Sequence, residues 1–170
     1  MSENPILKEM QYEASKGALS FKGVRYLLVR PETITGFQKA VREAFGPGAE
    51  ERLFDGGFSG GLLSARKYRE VYGFSAMETL EFMMSMGNQI GWGHFTLGEC
   101  SLETKRLCVS VSNSPFAQAY GRSDHGVCHL IRGVIAGMAT VLFERECKAE
   151  ETSCVAKGDR ECLFEVEGKK

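Results

Sequence analysis

The chain has 170 residues, 43% of them hydrophobic and 25% charged, with a formal net charge of −1. That balance suits one globular domain whose core is large enough to need no covalent staples. It excludes a global positive field for recruiting nucleic acid, and no run of 18 apolar residues offers a membrane span.

Residues 1–22 read as an N-terminal arm or a short helix, and 23–170 as the domain proper. The opening MSENPILKEMQYEASKG is acidic and polar, without the basic start and apolar centre of a signal peptide. The expected compartment is therefore the cytoplasm, where thiols stay reduced. GVRYLLVRP, residues 23–31, predicts a strand ended by Pro31. Thr33 is placed as the cap of a helix that runs to about Phe45. Gly46-Pro47-Gly48 then breaks the chain.

A second helix is expected from about Ala49 to Val71. Within it, DGGFSGGLLSARKY lacks the Gly-Lys-Ser/Thr and GxGxxG orders of nucleotide loops. Gly57, Gly61 and Ala65 stand four apart instead, which puts small residues on one helical face for close packing. Residues 75–92 predict a third helix, rich in Met and Phe. Phe82, Met83, Met86 and Ile90 form an apolar stripe, followed by Trp92 and Phe95. Such a stripe reads first as core. The alternative is a cavity wall, since Met adapts to irregular shapes.

The period then changes to that of strands, over 93–99 and 105–112. In the second of these Leu107, Val109 and Val111 share one face, with Cys108, Ser110 and Ser112 on the other. The clearest helix is 125–144, where Val127, Leu130, Ile131, Val134, Ile135, Met138, Val141 and Leu142 follow helical spacing. Gly126, Gly133 and Gly137 lie off that stripe. Glycine costs about 1 kcal/mol in a helix, so the pair four apart implies a close neighbour. A hairpin over about Lys148–Val166 closes the chain. The layout is α+β, an antiparallel β-sheet flanked by helices.

Cys154 and Cys162 are symmetric about Gly158 in that hairpin. Placed opposite each other on two strands, their Cβ atoms would lie about 4.5–5.5 Å apart. Both thiolates then reach one tetrahedral ion, whereas a disulfide wants about 3.5–4.5 Å. Burial as small apolar residues is the third reading. Further ligands would come from Glu151, Cys147 or Glu144 nearby, or from Cys128, His125, His129, Cys100 or Cys108 at a distance. One obstacle is parity. Glu151 and Cys154 are three apart, so in a regular strand they face opposite sides, and sharing a site needs a bulge.

These residues resemble the 4-vinyl reductase domain family. The family ends in a Cys-led helix with a small-residue face, Glu-x-x-Cys, an Ala-x-Gly-Asp turn and Cys-x-Phe. Here stand Cys128 with HLIRGVIAGMATVLFE, Glu151-Thr-Ser-Cys154, Ala156-Lys-Gly158-Asp159 and Cys162-Leu-Phe164. Upstream, GFQKAVREAFG, DGGFSGGLLSA, Gly91-Trp92-Gly93 and SNSPFA are looser matches. A second Glu-x-x-Cys, Glu144 with Cys147, departs from the pattern.

The resemblance implies a fold shared with NO-signalling and Golgi-transport ligand-binding domains. It also implies a structural zinc held by Cys128, Glu151, Cys154 and Cys162. Lys157 and Arg160 are the expected offsets to its surplus negative charge. It implies a small apolar or aromatic ligand, for which Phe82, Met86, Trp92, Phe95 and Tyr120 are the candidate contacts, His94 being another candidate for the polar contact. It implies a homodimer and a protein partner for signal output, as in relatives among the phenol- and toluene-responsive activators and the vesicle-tethering TRAPP subunits. Alternative roles are an accessory protein or enzyme of tetrapyrrole metabolism, and a structural subunit with a lipid-filled or vestigial cavity. No catalytic residue is assigned: His94, His125 and His129 lack catalytic spacing, and no Ser-His-Asp order or HExxH is present.

Overall fold

The N-terminal residues build more than one arm or helix. The computed structural model describes residues 3–169. It begins with α1 (Pro5–Glu9) and the strands β1 (Gln11–Glu13), β2 (Ala18–Phe21) and β3 (Val24–Tyr26), paired antiparallel in the order β1-β2-β3. Phe21 pairs with Val24 across a two-residue turn. Its Lys22 and Gly23 both have positive φ, +49° and +78°, as a tight right-twisting hairpin requires.

The strand expected over 23–31 stops at Tyr26, because Leu27–Arg30 has no pairing partner and lies exposed. Pro31 opens α2 (Pro31–Phe45) rather than merely ending a strand. Proline is suited to a first helical turn, whose amide has no acceptor. Thr33 is therefore inside the helix, and Arg30, not Thr33, is the residue that precedes it.

A short 3-10 turn, Pro47–Glu50, leads into α3 (Glu51–Tyr72), and α4 (Ala76–Gln89) follows. Ser75 caps α4 in a reciprocal pair with Glu78, so two amides at that end are satisfied. Next come β4 (His94–Ser101), β5 (Arg106–Ser112), α5 (Pro115–Tyr120), α6 (His129–Phe143), β6 (Cys147–Ser153) and β7 (Cys162–Gly168). These four strands form one antiparallel sheet in the order β4-β5-β7-β6. Leu107, Val109 and Val111 of β5 point into the core as their alternation predicts. Helix α5 has no counterpart in the sequence reading; six residues are too few for periodicity to register.

Helix α6 is the centre of the fold. One side rests on β6 and β7, and the other is crossed by α3. The crossing is glycine against glycine. A Cβ on Gly57 or Gly61 would lie 2.3 Å from the carbonyl oxygen of Leu130 or Val134. One on Gly133 or Gly137 would lie 2.2 Å from that of Phe54 or Phe58. Both small-residue faces expected from the spacing are thus faces of one contact. The result is a layered α+β core, with α3 over α6 over the sheet. Among the described residues no helix is long and apolar enough to cross a membrane.

Candidate metal centre

Helix α6 begins four residues later than its apolar periodicity suggests. Ser123 accepts a hydrogen bond from the His125 amide, and Cys128 adopts φ −87° and ψ 42°, outside the helix. This irregular approach places the Cys128 thiol at the mouth of the terminal hairpin.

The hairpin also departs from the expected geometry. Cys154 and Cys162 are not cross-strand partners: Cys162 pairs with Val111 of β5, and Cys154 lies beyond the end of β6. Residues 155–157 form a 3-10 turn closed by Gly158 at φ +101°. The Cys154 carbonyl accepts from the amides of Lys157 and Asp159, and the Asp159 carboxylate accepts from the Cys154 amide at 2.8 Å. This wrapped turn, rather than a flat ladder, aims Cys154 inward.

Pairing of β6 with β7 slips between Glu151 and Ser153. The bulge leaves Thr152 unpaired and turns Glu151 to the same side as Cys154, which resolves the parity obstacle. Gly126 completes the space, since a Cβ there would stand 2.6 Å from a Glu151 carboxylate oxygen. Sequence reasoning treated Gly126 as one more small helical residue, and nothing in its spacing marks it as carboxylate clearance.

One ligand atom each from Cys128, Glu151, Cys154 and Cys162 falls within a group no more than 4.8 Å across, and the group could hold a metal ion. The three cysteines are fully buried. Their sulfurs lie 3.6 Å apart for Cys128 and Cys162, and 4.0 Å for Cys162 and Cys154. A tetrahedral ion with metal–sulfur bonds of about 2.3 Å spaces its ligands about 3.8 Å apart. A disulfide needs about 2.05 Å, and all six cysteines are free. Glu151 offers the sharpest sign. Its Oε2 accepts from the Cys128 amide at 2.9 Å, while its buried Oε1 has no hydrogen-bond partner. An orphaned buried oxygen beside three buried thiols fits a cation.

Electrostatics agrees. Burial and the neighbouring Cys154 push the Glu151 carboxyl up to about 8. The Cys128 thiol is raised by its sulfur neighbours and by burial. For Cys162 the contact with Cys128 favours ionisation, but Cys154 and burial outweigh it and push the thiol up to about 12. Only Cys154, to which both other sulfurs donate, is held well below the ordinary thiol range.

Donors around the sulfurs are mainly backbone. The Val155 amide faces Cys162 at 3.5 Å, the Val127 amide faces Cys154, and the Ser114 hydroxyl lies 3.6 Å from the Cys128 sulfur. Lys157 pairs with Asp159 instead of a sulfur. Glu144 and Cys147 sit beyond the opposite end of α6, where the Cys147 thiol donates to the Arg145 carbonyl. Cys100 and Cys108 also lie outside the group. His125 and His129 face the buried Glu50 carboxylate at 3.5 and 3.9 Å.

The five candidate ligand contacts do not share one wall. Trp92 meets Phe116 edge to face at 5.4 Å, and the Phe95 ring fills the space over Gly87, both against the main core. Phe82 and Met86 turn to the other side of α4 and pack with Ile6 and Phe21. Tyr120 stands 6.2 Å from the His125 ring, with Lys39 over its face.

Residues 107–168, which contain every atom of this group, match the 4-vinyl reductase domain. The phenol-responsive sensory domain of the transcription activator PoxR, solved with phenol, superposes with a TM-score of 0.82 at 17% identity. The match covers 96% of this chain and 87% of that one. A vinyl-4-reductase family protein from Methanocaldococcus jannaschii gives 0.63 at 18% identity, covering 85% of each chain. A trafficking protein particle complex subunit 3 from Naegleria fowleri, covalently bound to palmitic acid, gives 0.56 at 14% identity, covering 82% and 95%. At such identities these likenesses establish the fold, α+β as expected. No curated protein matches the chain.

Proposed function

We propose that this chain is a small-molecule-binding domain, a sensor or carrier for an apolar or aromatic ligand, with its terminal hairpin stapled by a structural zinc ion. The observation that carries the zinc is the convergence of three buried thiols on a carboxylate oxygen that has no other partner. Cys128, Glu151, Cys154 and Cys162 would be its four ligands. Zinc supplies a bond between the start of α6 and the hairpin, and with four protein ligands no position remains for a reactive water. The backbone amides and Ser114 offset the surplus negative charge of three thiolates and a carboxylate. The role proposed for these thiols is architectural.

Of the candidate ligand contacts, Trp92, Phe95 and Tyr120 lie in or against the main core and are the proposed lining. Phe82 and Met86 pack on the other side of α4 with Ile6 and Phe21. The similarity in fold to a phenol-responsive sensory domain supports this reading. The chain is expected to pair with a second copy. An apolar groove of about 660 Å³, walled by α2 and α3 with Phe37 and Phe45 exposed beside it, supports that pairing. The domain is placed in the cytoplasm.

The test uses the single tryptophan. Trp92 emission, read while phenol, toluene and longer alkyl compounds are titrated, should change saturably for at least one compound and raise the melting temperature alongside. Native mass spectrometry of the purified chain checks occupancy directly. A tetrapyrrole there would favour the accessory role, and a fatty acyl chain the structural-subunit role. A panel that moves neither emission nor melting temperature would overturn the small-aromatic reading.

A further inference from the structure

Helix α2 is attached to the body by an unusual means. Its two fully buried residues are polar, Thr35 and Gln38, while Phe37 and Phe45 are 62% and 79% exposed. Apolar burial contributes little to holding it, so hydrogen bonds carry more of its docking than in an ordinary amphipathic helix.

Those bonds meet at Glu50, whose side chain is 1% exposed. Arg42 of α2 pairs with its Oε2, and Gln38 of α2 donates to its Oε1 at 3.0 Å. Burial opposes the charge on Glu50, yet Gln38, Arg42 and His129 together hold its carboxyl below the ordinary value. The second N–H of Gln38 goes to the carbonyl of Val127 at 3.1 Å. That carbonyl belongs to the same peptide group whose N–H, on Cys128, donates to Glu151. In a trans peptide the two groups point to opposite sides. Gln38 and the ligand Glu151 therefore grip one peptide plane from its two edges.

We propose that Gln38, held by Glu50, is a positioning residue for the metal centre, and that metal loading and the docking of α2 are coupled through the Val127–Cys128 peptide. This rests on the metal reading above. A metal that draws Glu151 and Cys128 into place fixes the plane of that peptide and so fixes the acceptor that Gln38 needs. Conversely, a docked α2 presents the Cys128 amide to Glu151 in the orientation that leaves Oε1 free for the ion. Such coupling is reciprocal: the factor by which metal favours docking is the factor by which docking favours metal. Because α2 walls the apolar groove, the metal state is conveyed to that surface.

The experiment is hydrogen–deuterium exchange of the full chain, zinc-loaded and chelator-stripped under reducing conditions, read at residues 31–45, with competition against a chromophoric chelator for affinity. Stripping zinc should speed exchange in α2 by about tenfold or more while β5 stays protected. Gln38→Met should weaken zinc by about 10–100-fold, the usual cost of losing a partner that orients a ligand, and should make α2 exchange indifferent to zinc. Glu43→Gln, on the exposed side of α2 and apart from these contacts, should hold zinc within about threefold of the parent. Parent protein whose α2 exchanges alike in both states, or Gln38→Met with unchanged zinc affinity, overturns the coupling and leaves the metal reading intact. Parent protein that binds no zinc overturns both. If Gln38→Met does not fold, exchange in the parent decides alone.

Discussion

Replacing Gly61 by alanine adds one methyl group where α3 and α6 are closest. Its Cβ would fall 2.3 Å from the Val134 carbonyl oxygen, 2.8 Å from the Val134 Cα and 2.9 Å from its carbonyl carbon. All three neighbours are backbone, so no side chain can swing away, and the helices must part by about 1 Å to restore ordinary contact. Overpacking of this kind costs about 1–3 kcal/mol, here toward the upper end. The better helix propensity of alanine returns about 1 kcal/mol. Gly60, one residue earlier on the same helix, supplies the control. It is exposed and a Cβ there meets nothing within 4 Å, so Gly60→Ala gains propensity without a clash. The two variants should differ by about 3 kcal/mol in opposite directions from the parent. For a chain of this size that is about 6–12 °C in melting temperature. Urea unfolding of all three proteins at one fixed zinc concentration measures it. If Gly61→Ala melts with Gly60→Ala, the glycine crossing is wrong.

Metal analysis of protein purified under reducing conditions should find about one zinc per chain, and Cys154→Ser should lose it together with several degrees of thermal stability; a metal-free chain of undiminished stability contradicts this. Gly126→Ala replaces no ligand, yet its methyl would press on the Glu151 carboxylate, so chelator competition should show zinc weakened by about tenfold or more. Zinc should displace about three protons near neutral pH, because Cys128, Cys162 and Glu151 hold theirs in the metal-free fold while Cys154 does not. Ligands must be deprotonated to bind, so affinity should fall by about a thousandfold per unit decrease in pH there. Calorimetry in buffers of different ionisation enthalpy counts the protons, and a count near zero would refute the protonation pattern.

The parts of this molecule that follow a regular repeat were legible in the sequence. Leu107, Val109 and Val111 announce the inner face of β5, and the spacing of Gly57, Gly61, Gly133 and Gly137 announces a close helix crossing without saying that the two pairs meet. The four residues of the candidate metal group could be named through the family resemblance, and parity alone showed that Glu151 required an irregular strand to join it. The illegible parts depend on short elements or on distant contacts. Strands of three or four residues carry too few alternations to declare the N-terminal sheet, so the stripe of Phe82 and Met86 reads first as core without showing that Ile6 and Phe21 are what cover it. Gln38 reaches Glu50 and Val127 across 12 and 89 residues, and no local pattern encodes such a meeting. The turn after Cys154 was misjudged because its 3-10 winding is set by the Asp159 carboxylate, not by strand twist.

The slip in pairing at Thr152 has a consequence for how the site can change. Were Thr152 taken into the ladder opposite Phe164, the strand before it would shift by one residue and Glu151 would stand opposite Glu165 on the outer face. The proposed metal group would then keep three cysteines and have one corner vacant. A vacant corner is what separates a reactive metal from a rivet, since a water or a foreign ligand can then enter and be activated. The place of one spare residue in an edge strand thus decides whether the proposed centre is a fastening or a chemically competent site.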